Sequence, residues 1–319
     1  MGSTWWCWTP RLLLGILLLA GCGWPAGREA SSAAPPHLGT AVEPATNSLA
    51  PLRVMSFNLR YAAADDGDNG WELRRDQLVE TIRAFTPDIL GTQECLAAQA
   101  EFLRQALPEY GFVGIGRENG RLAGEMCAIF YRTDRFVKLA AGHFWLSEKP
   151  NVPGSKSWDS ALPRMVSWVR LRDAGDSTLV FSLFNTHFDH VGTVARLRSA
   201  QALRDSIAAK TGFERAIVTG DFNTPADTAG TSPYHELTGD PGESGSRLVD
   251  AYRALHAAGS NEGTYHGFTG QSDGTRIDWI LLTPDLVPME AQIVRSQREG
   301  RYPSDHFPVT AVIGLRSSP

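Results

Sequence analysis

Eight polar residues stand where short apolar runs of the chain break off: Asn58 in SFN, Glu94 in QE, His187 in NTH, Asp221 and Asn223 in GDFN, Asp278 in IDW, and the adjacent Asp305 and His306 in SDH. Taken singly each has an ordinary explanation. Asn58 and Asn223 are good turn residues, Glu94 can cap the helix that follows it, and Asp305 with His306 makes a plain surface pair. Taken together they supply what phosphate-ester hydrolysis needs: a hard Lewis acid on a phosphoryl or leaving oxygen, an activated in-line water, and donors for charge building up on phosphorus. Glu94 and Asp305 offer carboxylate oxygens without a His or Cys cage around them, which suits Mg²⁺ or Mn²⁺ better than Zn²⁺.

Such residues must be carried to one place by regular elements. From Leu52 onward, β-rich runs bounded by Gly, Asp or Pro predict strands at Leu52–Phe57, Asp88–Thr92, Met126–Tyr131, Val166–Leu171, Leu179–Asn185, Ala216–Thr219, Asp278–Leu282 and Val309–Ile313. Leu78, Val79, Ile82 and Phe85 fall on one helical face within Arg74–Phe85, and Leu96–Leu107 and Val194–Ile207 show similar spacing. With no internal repeat and strands outnumbering helices, the pattern predicts one α+β domain over residues 51–319, with two sheets face to face and helices outside.

The order of these motifs resembles the endonuclease/exonuclease/phosphatase superfamily, which includes pancreatic deoxyribonuclease, deadenylases, neutral sphingomyelinases and inositol-polyphosphate 5-phosphatases. The likeness runs from Leu52 nearly to the end. It is carried by SFN at 56–58, PDILGTQE at 87–94, GEMCAIFYR at 124–132, NTHFDH at 185–190, GDFN at 220–223, RIDWI at 276–280 and SDHFPV at 304–309. FWLSEKP at 144–150, SWD at 157–159 and PRMVSW at 163–168 look like a bacterial lipoprotein branch related to the nocturnin-like deadenylases. The resemblance implies a four-layer αββα sandwich of two mixed sheets.

For the site, the resemblance implies that Glu94, Asp305 and Asn58 hold Mg²⁺ (or Mn²⁺), while Asp221 orients or deprotonates the water and Asn223 and Asn58 fix the phosphate and the metal-bound water. His306 with Asp278 matches the family's His–Asp couple, and His187 is expected to assist the leaving group or the phosphate. Arg132, Arg164 and Arg196 lie in or just after the motifs and are candidates to clamp a phosphate; Trp158 is a candidate to stack on a base or sugar.

The expected function is an exported, metal-dependent hydrolase of phosphate esters, acting as a phosphodiesterase or phosphatase. Its alternatives are an extracellular 3′–5′ exonuclease or endonuclease, a sphingomyelinase-like lipid phosphodiesterase, and a catalytically silent surface lipoprotein binding a glycan or partner. A serine hydrolase fails, because the consecutive Ser304, Asp305 and His306 cannot make a triad and no G-x-S-x-G elbow occurs. A glycosidase built on Glu94 and Asp221 leaves Asn58, Asn223 and the SDH motif unexplained.

Composition narrows the partners. At 319 residues and 42% hydrophobic the chain can bury a full core, and a formal charge of −5 builds in no bulk attraction to duplex nucleic acid, which stays open as a substrate. A monomer is expected. Four cysteines are too few and too dispersed for a stapled fold or a zinc ribbon, and Cys95 and Cys127 are expected as buried free thiols. Residues 1–21 combine Arg11 with an apolar run ending in Leu19-Ala20-Gly21 before Cys22, like the signal of a bacterial lipoprotein whose Cys22 receives lipid. Residues 22–50, rich in Pro, Ala and Ser, are expected as a flexible tether, leaving the domain lipid-anchored on the cell envelope, at the periplasmic or extracellular face.

Overall fold

The computed structural model describes residues 50–226, 230–239 and 247–316. The expected leader, Cys22 and residues 22–49 of the expected tether lie outside them. In chain order the elements are β1 (Leu52–Asn58), α1 (Trp71–Phe85), β2 (Ile89–Cys95), α2 (Ala97–Ala106), β3 (Tyr110–Val113), β4 (Met126–Arg132), β5 (Phe136–Trp145), β6 (Met165–Asp173), β7 (Val180–His187), α3 (Thr193–Thr211), β8 (Ala216–Asp221), α4 (Pro233–Thr238), β9 (Val249–Asp250), β10 (Asp278–Leu282), β11 (Leu286–Ile293) and β12 (Val309–Leu315).

They form two six-stranded sheets, ordered β11-β12-β1-β2-β4-β3 and β5-β6-β7-β8-β10-β9. Only β1 with β2 and β7 with β8 are parallel, and each parallel pair needs the crossover that α1 or α3 supplies. Successive side chains of a strand point to opposite faces, so both faces of the central strands must be covered. Val54, Ile89 and Ile129 of the first sheet meet Val169, Leu183, Ile217 and Ile280 of the second between the sheets. On the outer face of the first sheet Met55, Phe57 and Leu90 pack with Leu78, Ile82 and Leu103 of α1 and α2, and on that of the second Phe184, Val218 and Trp279 pack with Leu203 and Ile207 of α3. Each such fully buried side chain contributes about 1.5–3 kcal/mol. The expected αββα sandwich is the fold the chain adopts.

Helix α1 stops where its sequence says it should. Thr86 turns left-handed at φ 49°, its N–H closing on the Ile82 carbonyl, and Pro87 cannot continue the helix. Cys95 and Cys127 are free and buried in different apolar clusters, Cys95 under the helices and Cys127 beside Trp145 and Met165. Burial pushes both thiols up to about 12.

Between the sheets a polar cluster centred on Asn185 interrupts the apolar layer. The Asn185 side chain donates to the Thr92 and Ala128 carbonyls of the opposite sheet and accepts from Gln93 Nε2 at 2.7 Å and Thr219 Oγ1 at 3.0 Å. Gly91 makes this approach feasible, since a Cβ there would stand 2.2 Å from Thr219 Oγ1.

Candidate active site

The polar residues gather at one end of the sandwich, where β1, β2, β7 and β8 stop and β10 starts. Strand register does the placing: His187 pairs with Asp221, Asp221 with Asp278, and Asn58 with Gln93, the neighbour of Glu94. Asn58 joins the sheets, its amide donating to Glu94 Oε1 at 3.1 Å and to Asp221 Oδ2 at 2.9 Å. Ser304 Oγ donates to the Asn58 carbonyl, which brings the SDH segment under β1. Two residues of the cluster pay in backbone strain, Glu94 at φ 57° beside a β-bulge and Asn223 at φ 49°.

Around Asp221 the hydrogen bonds fix both imidazoles. His306 Nδ1 lies 2.9 Å from Asp278 Oδ2 and its Nε2 lies 3.8 Å from Asp221 Oδ2. Burial alone would lower the proton affinity of His306, but Asp278, Asp221 and Asp305 outweigh it and hold the pKa well above the ordinary value, which favours the imidazolium. Asp221 is pushed up to about 7, first by burial and then by Asp278, a range that suits a base. His187 goes the other way: burial first, then the charges of Arg164 and Arg117, drive its pKa well below the ordinary value. Asn223 Nδ2 donates to the Phe188 carbonyl and faces His187 Nε2 at 3.0 Å. A neutral His187 therefore accepts at Nε2 and carries its proton on Nδ1, on the side of Glu125 Oε2 at 3.8 Å.

A divalent cation fits the donor set. Glu94, His187 and Asp221 present ligand atoms within 4.8 Å of one another, as do Asp221, Asp278 and His306. Asp305 belongs to neither group and lies 3.7 Å from Arg60 Nη1. Its pKa is raised by burial and further by Glu94, a like-charge tension that a cation would relieve.

Four participants were not among the residues singled out from the sequence: Arg117, Glu125, Asn185 and Gln93. Arg117 grips Glu125 through both terminal nitrogens, at 2.8 and 2.7 Å, and with Arg164 lines a small cavity that reaches Glu94 and His187. Asn185 and Gln93 form the floor beneath, and Asn185 and Glu125 lie inside the very motifs NTHFDH and GEMCAIFYR, where their buried hydrophilicity was the available signal.

The arginine candidates separate. Arg164 is buried at 3% exposure, its Nε 3.3 Å from Asp189 Oδ2 and its Nη2 3.0 Å from His190 Nδ1. Arg196 donates to the Asp189 carbonyl and borders a cleft leading away from Asn223. Arg132 is a correction. It ends β4, whose other end, Met126, pairs with Cys95 beside Glu94, and six strand steps put it about 20 Å away, in ion pair with Asp134. It cannot clamp a phosphate in this cluster. Trp158 is half-buried in a turn at φ 57°, next to Asp159, whose carboxylate accepts from the first-turn amides of α3 at Val194 and Ala195.

Acids, amides and histidines meet where strands of two facing mixed sheets end, the sandwich being the fold the motif order implied, and residues 55–306 match the model of the Endonuclease/Exonuclease/phosphatase family. The chain belongs to that family. Members of this family are phosphoesterases, generally dependent on divalent metal, so the chain is a hydrolase with a site suited to a metal. A mannosyl-6-phosphatase of Bacteroides thetaiotaomicron is 35% identical, with 83% of this chain and all of that one covered and a TM-score of 0.71. The human nocturnin catalytic domain, at 20% identity and TM-score 0.64 over 84% of this chain and 96% of that one, shares the fold. An uncharacterised protein of Acanthamoeba polyphaga mimivirus is 30% identical over 169 residues, 48% of this chain, and the chain spans only 59% of its length.

Proposed function

We propose that the protein is an exported, metal-dependent phosphatase that removes a phosphoryl group from a sugar-like alcohol. The observation that carries this reading is the pair Arg117 and Arg164, buried at 6% and 3% exposure beside His187 and close enough that their charges lower its proton affinity. A phosphate monoester brings almost one more negative charge than a diester, and buried guanidiniums, here Arg117 paired with Glu125 and Arg164 beside Asp189, answer that extra charge more strongly than exposed ones would. The likeness to a mannosyl-6-phosphatase along the whole of that chain supports the same substrate class. The acidic balance of −5 supports it against a polynucleotide track. Export rests on the lipoprotein-like run ahead of Cys22.

Glu94, Asp305 and Asn58 would hold the divalent cation, which when bound supplies Lewis-acid charge to a phosphoryl oxygen. Asp221 receives the proton of the attacking water, and Asn58 keeps that carboxylate aimed. His306, protonated by its contact with Asp278, donates from Nε2 to the phosphoryl group as charge builds up there. Asn223, whose amide nitrogen bonds the Phe188 carbonyl and His187 Nε2, holds His187 with its proton on Nδ1.

The test is a panel of hexose 6-phosphate, p-nitrophenyl phosphate, bis(p-nitrophenyl) phosphate, single-stranded DNA, RNA and sphingomyelin with Mg²⁺ or Mn²⁺. Monoesters are expected to turn over at least about tenfold faster than any diester. Faster cleavage of a polynucleotide or of sphingomyelin would replace this reading with a nuclease or a lipid phosphodiesterase.

A further inference from the structure

Beside the cluster lies a second feature that the hydrolytic chemistry does not use. A cleft of about 630 Å³ runs from Asn223 between residues 193–201 of α3 and the segments 223–225 and 231–233. Arg196, Arg198, Val194 and Leu197 form one wall, and Thr224 belongs to the other. No acidic residue among the described residues lines it. Arg196 is held by the Asp189 carbonyl and Arg198 by Gln201 Oε1, and neither pairs with a carboxylate among the described residues. Thr224 is buried at 6% exposure, and its Oγ1 has no hydrogen-bond partner among the described residues. A buried hydroxyl left without a partner is costly and marks a place for a polar ligand group.

We propose that this cleft is the subsite for the alcohol part of the substrate, and that it selects an alcohol carrying a second anionic group, which Arg196 and Arg198 receive. The proposal rests on reading the neighbouring cluster as a phosphoester hydrolase and adds what stands on the far side of the ester. Distance supports it. The Asn223 amide is anchored on the Phe188 carbonyl and Arg196 Nη1 on the next carbonyl, that of Asp189. Adjacent carbonyls lie one residue apart, so the two side-chain nitrogens are on the order of 10 Å from each other or less. That span is covered by one sugar ring with a phosphoryl group at one end and an anion at the other. The exposed Val194 and the half-buried Leu197 give the ring's C–H face an apolar wall, and Thr224 Oγ1 meets a ring hydroxyl.

Calorimetric titration of the full chain carrying Asp221→Asn, in Mg²⁺, tests this without turnover. The probes are hexose 6-phosphate, hexose 1,6-bisphosphate and a hexonate 6-phosphate, so that a phosphate and a carboxylate are tried as the second anion. At least one doubly anionic probe is expected to bind about tenfold or more tightly than hexose 6-phosphate. Arg198→Glu, an exposed position whose change leaves the core untouched, is expected to bring that ratio to about one, and Arg196→Gln to reduce it. Equal affinities for all three probes, or a preference that survives both substitutions in proteins of unchanged melting temperature, would overturn the proposal. Turnover of p-nitrophenyl phosphate by the unsubstituted chain reports on the hydrolase reading alone. Its failure would sink that reading while calorimetry still decides the cleft.

Discussion

Replacing Gly91 by alanine adds one methyl group at the tightest point between the sheets. The new Cβ would stand 2.2 Å from Thr219 Oγ1, 2.8 Å from Asn185 Oδ1 and 2.9 Å from Asn185 Cγ. Neither neighbour can swing into solvent: both are fully buried, and Asn185 is tied to two carbonyls of the first sheet. The sheets must move apart, or the Thr219–Asn185 and Gln93–Asn185 bonds must break. Overpacking of a core costs about 1–3 kcal/mol, and each buried polar group left unpaired about 1–3 kcal/mol more. A loss of about 3–5 kcal/mol follows, which for a domain of this size lowers the melting temperature by roughly 8–15 °C. Thermal and urea denaturation followed by circular dichroism measure it. In a Thr219→Ala background the nearest obstacle is gone, so the same glycine change should cost at least about 1 kcal/mol less. A Gly91→Ala protein melting within about 2 °C of the parent would refute the contact, and equal costs in both backgrounds would refute the role given to Thr219.

Chelation is expected to abolish phosphoester hydrolysis and Mg²⁺ or Mn²⁺ to restore it, with Glu94→Gln raising the metal concentration needed while leaving the melting curve nearly unchanged; full activity after chelation would exclude the metal. Asp221→Asn and His306→Ala are each expected to lower kcat by about a hundredfold or more with little change in KM, and the double variant to be little worse than the poorer single one, as single-turnover rates at saturating metal would reveal. Asp189, buried, is held below the ordinary carboxylate range because the Gly192, Val191 and Ala161 amides and then Arg164 together outweigh its burial. A depressed carboxylate adds stability above its unfolded pKa of about 4 and loses it as pH falls below that value. Asp189→Asn should therefore cost about 1–3 kcal/mol at pH 7, with the gap to the parent closing in melts run below about pH 4. Cys22→Ser is expected to move the protein out of the membrane fraction or stall its processing, and unchanged fractionation with unchanged mass would remove the anchor.

All eight strands expected from the sequence are present, and so are the three helices. The four strands that escaped are β3, β5, β9 and β11, the outermost strand on each side of each sheet. Physics explains the pattern. An edge strand pairs on one side only and is shielded on fewer faces, so it tolerates polar residues, glycine and proline that erase the alternation. β5 is exposed or half-buried from Val137 through His143, β11 carries Pro288 at a register shift, and β3 is a four-residue YGFV. The site was legible for a related reason, since residues at the ends of central strands interrupt strongly apolar runs and announce themselves. Arg117 lies in a loop with no such frame, and its partner Glu125 stands 8 positions later, a spacing that points to nothing by itself. Arg132 misled because a motif specifies neighbours along a strand but not which end of that strand faces the substrate.

The pairing of β1 with β12 has a consequence for synthesis. Leu52 pairs with Ile313, so β1, the first of the described strands, keeps an open edge until β12, the last of them, has emerged. For most of translation the first sheet presents an unpaired, strongly apolar border, a template for association with other nascent chains. Asp305 and His306 arrive just ahead of β12, so a chain cut before them lacks part of the polar set, and activity should appear only once that segment has emerged. Closing a contact of such long separation is slow for the same entropic reason that makes it late.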